Sequence, residues 1–117
     1  MSFFILLSSL VFSSCTKKET VNLDPQSMTA EQKLSRGKSI YLANCAACHN
    51  ANPKIDGNIG PAVFGSSREL LWSRVMDGKY PDGYKPKRDS ATMVKLPHLE
   101  KEIPFIFEFL NDPKADQ

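Results

Sequence analysis

The sequence predicts an all-α fold in which three main helices are joined by long loops. Two capping patterns, T-x-x-Q at residues 29–32 and S-x-x-E at residues 66–69, precede apolar runs with helical spacing. A third apolar run with the same spacing lies near the C-terminus, and no pair of segments resembles paired strands. The chain has 117 residues, so one compact domain is expected.

The first helix should begin at the T-x-x-Q pattern, where two side chains satisfy backbone amides reciprocally. Its expected inner face follows steps of three and four residues: Leu34, Gly37, Tyr41, Cys45 and Cys48. Glycine lowers helix stability relative to alanine. A glycine on this face therefore indicates either a second backbone packed close by or a merely tolerated residue.

The two later helices have their own boundary signals. The middle helix should start at the S-x-x-E pattern and close at Gly78 in a left-handed cap. The last helix should begin near Lys101 or Glu102, because Pro104 fits only in a first turn. Between them, residues 79–98 contain three prolines and no clear period, which is typical of a long functional or disordered loop.

Three helices with loops of this length leave a small core. Small domains often gain stability from a metal, a disulfide or a cofactor that fills the interior. The formal net charge of +2 is too mild to indicate nucleic acid as a partner. The composition therefore favours a small domain with something bound at its centre.

The N-terminus resembles an export signal. The apolar run of residues 3–12 is too short for a membrane span, which needs about 20 residues, but fits the core of a signal peptide. Ser13, Ser14 and Cys15 follow, as in bacterial lipoprotein signals, where the cysteine becomes the lipidated first residue. The alternatives are a plain secretory signal, with Cys15 incidental, and an uncleaved anchor.

These features define the expected organisation of the chain. A lipoprotein-type signal peptide covers residues 1–14, and the lipidated Cys15 opens a flexible tether over residues 15–28. The folded domain covers residues 29–113, and residues 114–117 form a tail. The protein is expected to be exported to the periplasmic side of a bacterial membrane, lipid-anchored or soluble, and acyl chains on Cys15 would hold it at the membrane surface.

The motif that carries chemistry is C-x-x-C-H at residues 45–49, the pattern of haem c attachment. Helix positions three apart share a face, so Cys45 and Cys48 can form thioethers with the two vinyl groups on one porphyrin edge. His49 can then act as the proximal iron ligand. The alternatives are a thiol redox pair and a zinc site. A thioredoxin-like redox pair would follow a strand, and none is predicted before the motif. A four-ligand zinc site would need a further pair of Cys or His ligands, and His98 is the only such residue left in the folded part.

With this motif, three segments resemble class I cytochromes c, over residues 29 to about 113. Residues 36–50 resemble the family's first helix, residues 57–65 its Gly-Pro loop, and residues 92–110 its methionine segment and terminal helix. The resemblance implies a small cytochrome c fold, with three main helices and long loops wrapped around one covalently bound haem c.

The resemblance also implies roles for single residues. Cys45 and Cys48 would hold the haem, His49 would be the proximal ligand, and the Pro61 carbonyl would bond its other ring nitrogen. Met93 would be the distal ligand, with His98, Met76 or an open sixth site as alternatives. Gly37 and Tyr41 would pack against the terminal helix around Ile106 and Leu110. Candidate contacts of the haem propionates are Tyr80, Tyr84, Lys87, Arg88 and Trp72.

The function that follows is one-electron transfer in a respiratory or other periplasmic chain, without enzymatic activity or a small-molecule substrate. The alternatives are an open-site catalytic or sensing haem protein and a cytochrome subunit of a larger oxidoreductase complex. Partners would be redox proteins, including acidic-faced membrane respiratory complexes. The basic stretch at residues 79–95 would steer such a partner, unless it is only a solvated loop.

Overall fold

The computed structural model describes residues 24–89 and 92–117, and those residues contain helices and no strand. The helices are α1 (Ala30–Asn44), α2 (Ala46–His49), α3 (Arg68–Trp72) and α4 (Ile103–Leu110). A π-helical turn, Ser73–Asp77, continues α3, and a 3-10 segment, Pro97–Glu102, leads into α4. The all-α prediction is therefore confirmed at this level.

The predicted signal peptide, Cys15 and most of the tether lie outside the described residues. Within the described ranges, no helix has the length and apolar character needed to span a bilayer. Met28, the last residue of the predicted tether, is buried beside Arg36, and Ala115 in the predicted tail is buried as well. The division of the chain into signal, tether, domain and tail remains a prediction.

The start of α1 follows the predicted capping box. The Thr29 hydroxyl accepts a hydrogen bond from the Gln32 amide at 3.2 Å, and the Gln32 side chain accepts one from the Thr29 amide at 2.8 Å. The helix then ends at Asn44, one residue before the motif, because Cys45 has φ −119° and interrupts it. The motif itself is carried by the separate turn α2.

The middle helix begins one residue later than the S-x-x-E pattern predicts. Its N-cap is Ser67, whose hydroxyl accepts a hydrogen bond from the Leu70 amide at 3.1 Å. The predicted left-handed cap is confirmed, since Gly78 has φ 68°. The π-helical turn before this glycine was not predicted.

Helices α1 and α4 pack closely where α1 carries a glycine. A side chain at Gly37 would overlap the backbone carbonyl of Phe105, so the close approach that its position suggested is present. The Tyr41 side chain is 1% exposed, and its ring centroid lies 5.4 Å from that of Phe109. The core around this contact comprises Tyr41, Val75, Leu99, Ile103, Ile106, Phe109, Leu110 and Ala115.

Candidate functional site

A cavity of about 230 Å³ lies beside this core. Its walls come from the end of α1, the motif turn α2, the loop at residues 59–63, the middle helix, residues 80–88 and 92–96 of the long loop, and α4. Most of its lining is apolar, including Leu71, Val75, Ile106 and Leu110. The cavity therefore joins the three segments on which the sequence resemblance depends.

Both cysteines of the motif line the cavity as free thiols. Cys45 is partly buried, and Cys48 is exposed. Burial, with a smaller effect from Cys48, raises the pKa of the Cys45 thiol to about 11. Reactive redox thiols have depressed pKa values, so this environment does not favour the thiol redox interpretation.

The imidazole of His49 is held by the loop opposite the motif. Its Nδ1 lies 2.8 Å from the Pro61 carbonyl oxygen, and because a carbonyl only accepts, Nδ1 carries the proton and donates. This tautomer leaves Nε2 with a free lone pair, as a metal ligand requires. A side chain at the buried Gly60 would overlap the imidazole ring, so this glycine is part of the same support.

Backbone contacts fix the turn that follows the motif. The Tyr41 hydroxyl donates to the Asn50 carbonyl at 2.7 Å, and burial raises the pKa of this phenol well above its usual value. Asn50 has φ 73°, the left-handed conformation that asparagine tolerates. The Gly60 amide donates to the Cys48 carbonyl at 2.9 Å. Helix α1 and the loop thus set the position of the motif together.

Of the predicted distal ligands, only Met93 lines the cavity; it is partly buried there. Met76 packs against the hydrophobic core, and His98 is exposed; neither is part of the cavity wall. The structure therefore brings Met93 and the C-x-x-C-H motif to one cavity. Its role as an iron ligand remains a prediction.

The predicted propionate contacts separate into two groups. Tyr80, Tyr84, Lys87 and Arg88 line the cavity, whereas Trp72 does not and is 43% exposed. The two tyrosine rings stack with centroids 5.4 Å apart.

The sequence interpretation missed Arg74, which also lines the cavity and is 8% exposed. It follows Leu70 by four residues and Leu71 by three, so its place on the apolar face of the middle helix was the available signal.

The donor set fits a covalently attached haem. Two thiols, an imidazole oriented by a carbonyl and a thioether meet at one largely apolar cavity. Among residues 24–89 and 92–117, no group of three or more His, Cys, Asp and Glu side chains is placed to hold a metal ion. The zinc interpretation therefore gains no support from the described part of the chain.

Comparison with known proteins agrees with this chemistry. No family model matches the chain, and no solved structure matches it. A curated relative from Synechocystis sp. (strain ATCC 27184 / PCC 6803 / Kazusa), described as cytochrome c-553-like, is 34% identical over 71 residues. The match covers 58% of this chain and 66% of the relative, so the chain spans slightly less than two thirds of that protein. This similarity and the setting of the C-x-x-C-H motif together support a cytochrome c.

Proposed function

We propose that this protein is a one-electron carrier with a covalently attached haem c and histidine–methionine axial ligation. The observation that carries the proposal is a single cavity lined by Cys45, Cys48, His49 and Met93. Haem, when bound, supplies an iron that gains and loses one electron.

The residues of the chain have separate tasks in this proposal. Cys45 and Cys48 hold the cofactor by thioether bonds. His49 offers Nε2 because Pro61 occupies its other ring nitrogen, and this hydrogen bond prevents the imidazole from turning. Met93 offers a thioether sulfur, a ligand that raises the reduction potential of haem iron. The apolar wall excludes water and so favours the less charged, reduced state.

The position of the protein in the cell and its partners are also part of the proposal. A lipid on Cys15 would keep the domain beside redox complexes on the periplasmic side of a bacterial membrane. The positive charge of the long loop favours an acidic partner, since four of its lysines are exposed: Lys79, Lys85, Lys87 and Lys95. Charges placed in this way would speed association and make its rate fall with increasing salt concentration.

A redox titration tests the function. Protein matured with a cytochrome c assembly system should show one haem couple that follows a one-electron Nernst curve and cycles reversibly. Addition of carbon monoxide to the reduced protein should leave the visible spectrum unchanged, because Met93 would hold the sixth position of the iron. Rapid carbon monoxide binding by the intact protein would instead favour the open-site alternative.

A further inference from the structure

Arg74 is a buried cation without a matching anion. It lies in the π-helical turn Ser73–Asp77, a kind of distortion that is frequent at functional sites, and only 8% of it is exposed. Its Nη1 donates to the Gly78 carbonyl at 2.7 Å, and its guanidinium carbon lies 4.2 Å from the centroid of the Tyr80 ring. Among residues 24–89 and 92–117, no carboxylate lies within ion-pair distance of it.

This setting is costly unless an anion completes it. A guanidinium has five N–H donors and always carries its charge, and a buried charge needs both hydrogen bonds and a counter-ion. One carbonyl and one aromatic face supply neither a full set of acceptors nor a negative charge. Because Arg74 lines the cavity, the missing partner is expected to be an acidic group of whatever occupies that cavity.

The two other cations of the cavity wall are already engaged. The Lys87 ammonium is exposed and donates to the Ala62 carbonyl at 2.8 Å. Arg88 donates to the Gly57 carbonyl at 3.0 Å and pairs with Asp56 at 3.4 Å. Of the three cations, Arg74 is therefore the one whose charge and hydrogen-bond donors are least satisfied by the described residues.

We infer that Arg74 binds a propionate carboxylate of the haem, and this inference rests on the proposed function. The flat guanidinium can donate two parallel hydrogen bonds to a carboxylate, which a lysine cannot do. Tyr80 acts as a positioning residue, because its ring covers one face of the guanidinium and is itself stacked on Tyr84. The pair would keep that propionate ionised whether the iron is oxidised or reduced.

The test is the pH dependence of the reduction potential in matured holoprotein. In Arg74→Gln the propionate loses its cation, so its pKa rises and reduction of the iron draws a proton to it. The variant should show a slope of potential against pH between pH 5 and 8 that exceeds the slope of the wild type. Besides the cysteines and histidine of the motif, the titratable groups lining the cavity are Tyr41, Tyr80, Tyr84, Lys87 and Arg88. These groups are the same in the wild type and the variant, and the nearby Asp56 has a pKa below its usual value, so the added slope reports the propionate.

Arg68→Gln is the matched control. Arg68 lies in the same helix and also covers an aromatic ring, that of Phe107 at 4.6 Å, but it is exposed and does not line the cavity. Its potential–pH curve should remain parallel to that of the wild type. A merely structural role of Arg74 would lower the melting temperature of Arg74→Gln without adding a slope, and that result would overturn the inference.

Three further outcomes are distinguishable. If Arg74→Gln does not fold, Arg74→Met decides, because methionine keeps an apolar stem but removes the charge: an added slope supports the inference, and a curve parallel to the wild type contradicts it. If the wild-type protein holds no covalent haem, the proposed function fails together with this inference. If the wild-type couple is intact and the arginine variants add no slope, only the assignment of Arg74 fails.

Discussion

At the scale of single residues, the position of the His49 ring depends on the two loop residues that lie against it. Gly60 allows the His49 ring to lie against the loop, and Pro61 supplies an acceptor because its carbonyl faces that ring. The hydrogen bond to the Pro61 carbonyl thereby fixes His49 in one tautomer without a bound metal. Among residues 24–89 and 92–117, no hydrogen bond orients the Met93 side chain in this way, and so Met93 is the residue whose proposed role most needs a direct test.

Replacement of Met93 by alanine should remove the weak charge-transfer band that a thioether ligand gives ferric haem near the red edge of the visible spectrum. The sixth position would then open to water or carbon monoxide, and the reduction potential should fall, because methionine favours the ferrous state. Optical spectra and a redox titration measure both changes.

Met76→Leu is the control, since Met76 packs against the core and does not line the cavity. It should keep the band and lower the free energy of unfolding by less than about 1.5 kcal/mol, as volume-conserving core substitutions do. The reverse pattern, in which Met76→Leu removes the band and Met93→Ala keeps it, would show that the distal ligand is misassigned.

At the scale of elements, the contact between α1 and α4 sets the distance between the motif and the terminal helix. We expect Gly37→Ala to lower the free energy of unfolding of the holoprotein by about 1–3 kcal/mol, because the new methyl group overlaps the Phe105 carbonyl. Helix propensity by itself would make alanine more stable than glycine by about 1 kcal/mol, so a loss of stability would indicate the steric overlap. Chemical denaturation followed at the haem band measures the change.

Ser39→Ala is the control for this contact, because Ser39 is an exposed residue of the same helix. It should change the free energy of unfolding by no more than about 0.5 kcal/mol. A Gly37→Ala variant as stable as the wild type would mean that α1 and α4 do not approach as closely as described.

The long loop is tied to the loop after the motif by Asp56. This carboxylate accepts a hydrogen bond from the Ala62 amide at 2.7 Å and lies near Arg88, and both contacts lower its pKa below the usual 3.8. Because the pKa is depressed in the folded protein, the stabilisation is complete above the unfolded value and disappears as pH falls through the folded value.

Asp56→Asn should therefore be less stable than the wild type at pH 6, and the difference should vanish at pH values below the folded pKa. Urea midpoints from pH 6 to strongly acidic conditions measure this. Asp89→Asn is the control, since Asp89 is an exposed residue of the long loop that Asp56 contacts and has no ion pair among the described residues. A difference between wild type and Asp56→Asn that does not change with pH would contradict the charge-based account.

Short sequence patterns correctly predicted the structural features that depend only on residues close together in the sequence. The Thr29 capping box and the Gly78 cap depend on neighbouring residues and are present as expected. The break at Cys45 and the π-helical turn were missed, because neither follows from residue spacing or from a capping pattern. Arg74 was missed for a related reason: its sequence position shows a cation on an apolar face, but only the fold shows that no carboxylate of the described chain meets it.

At the scale of the whole molecule, the proposal attaches a lipid-anchored N-terminus to a folded electron-transfer domain. Cys15→Ser should move the domain from the membrane fraction to the soluble exported fraction, since covalent acyl chains are the proposed attachment. Cell fractionation and mass spectrometry of the mature N-terminus measure this. A mature wild-type protein that begins at residue 15 without lipid would contradict the anchor.

The proposed cofactor is also expected to stabilise the domain as a whole, because the helices enclose a largely apolar cavity beside their core. Replacement of both Cys45 and Cys48 by alanine should leave mostly unfolded chain, since short helices with long loops bury too little apolar surface alone. Far-ultraviolet circular dichroism of the purified double variant should show a large loss of helix. A double variant with the helix content of the wild type would mean that the fold does not need the attached cofactor.

The proposed function is tested most directly by whether haem is bonded to the polypeptide at the motif. Wild-type protein from cells with a cytochrome c assembly system should be subjected to acid–acetone extraction and to denaturing electrophoresis with haem staining. Thioether bonds at Cys45 and Cys48 should keep the haem with the chain under both conditions, and the double alanine variant should retain none. Loss of haem from the wild-type chain under both conditions would contradict covalent attachment and, with it, the proposed electron carrier.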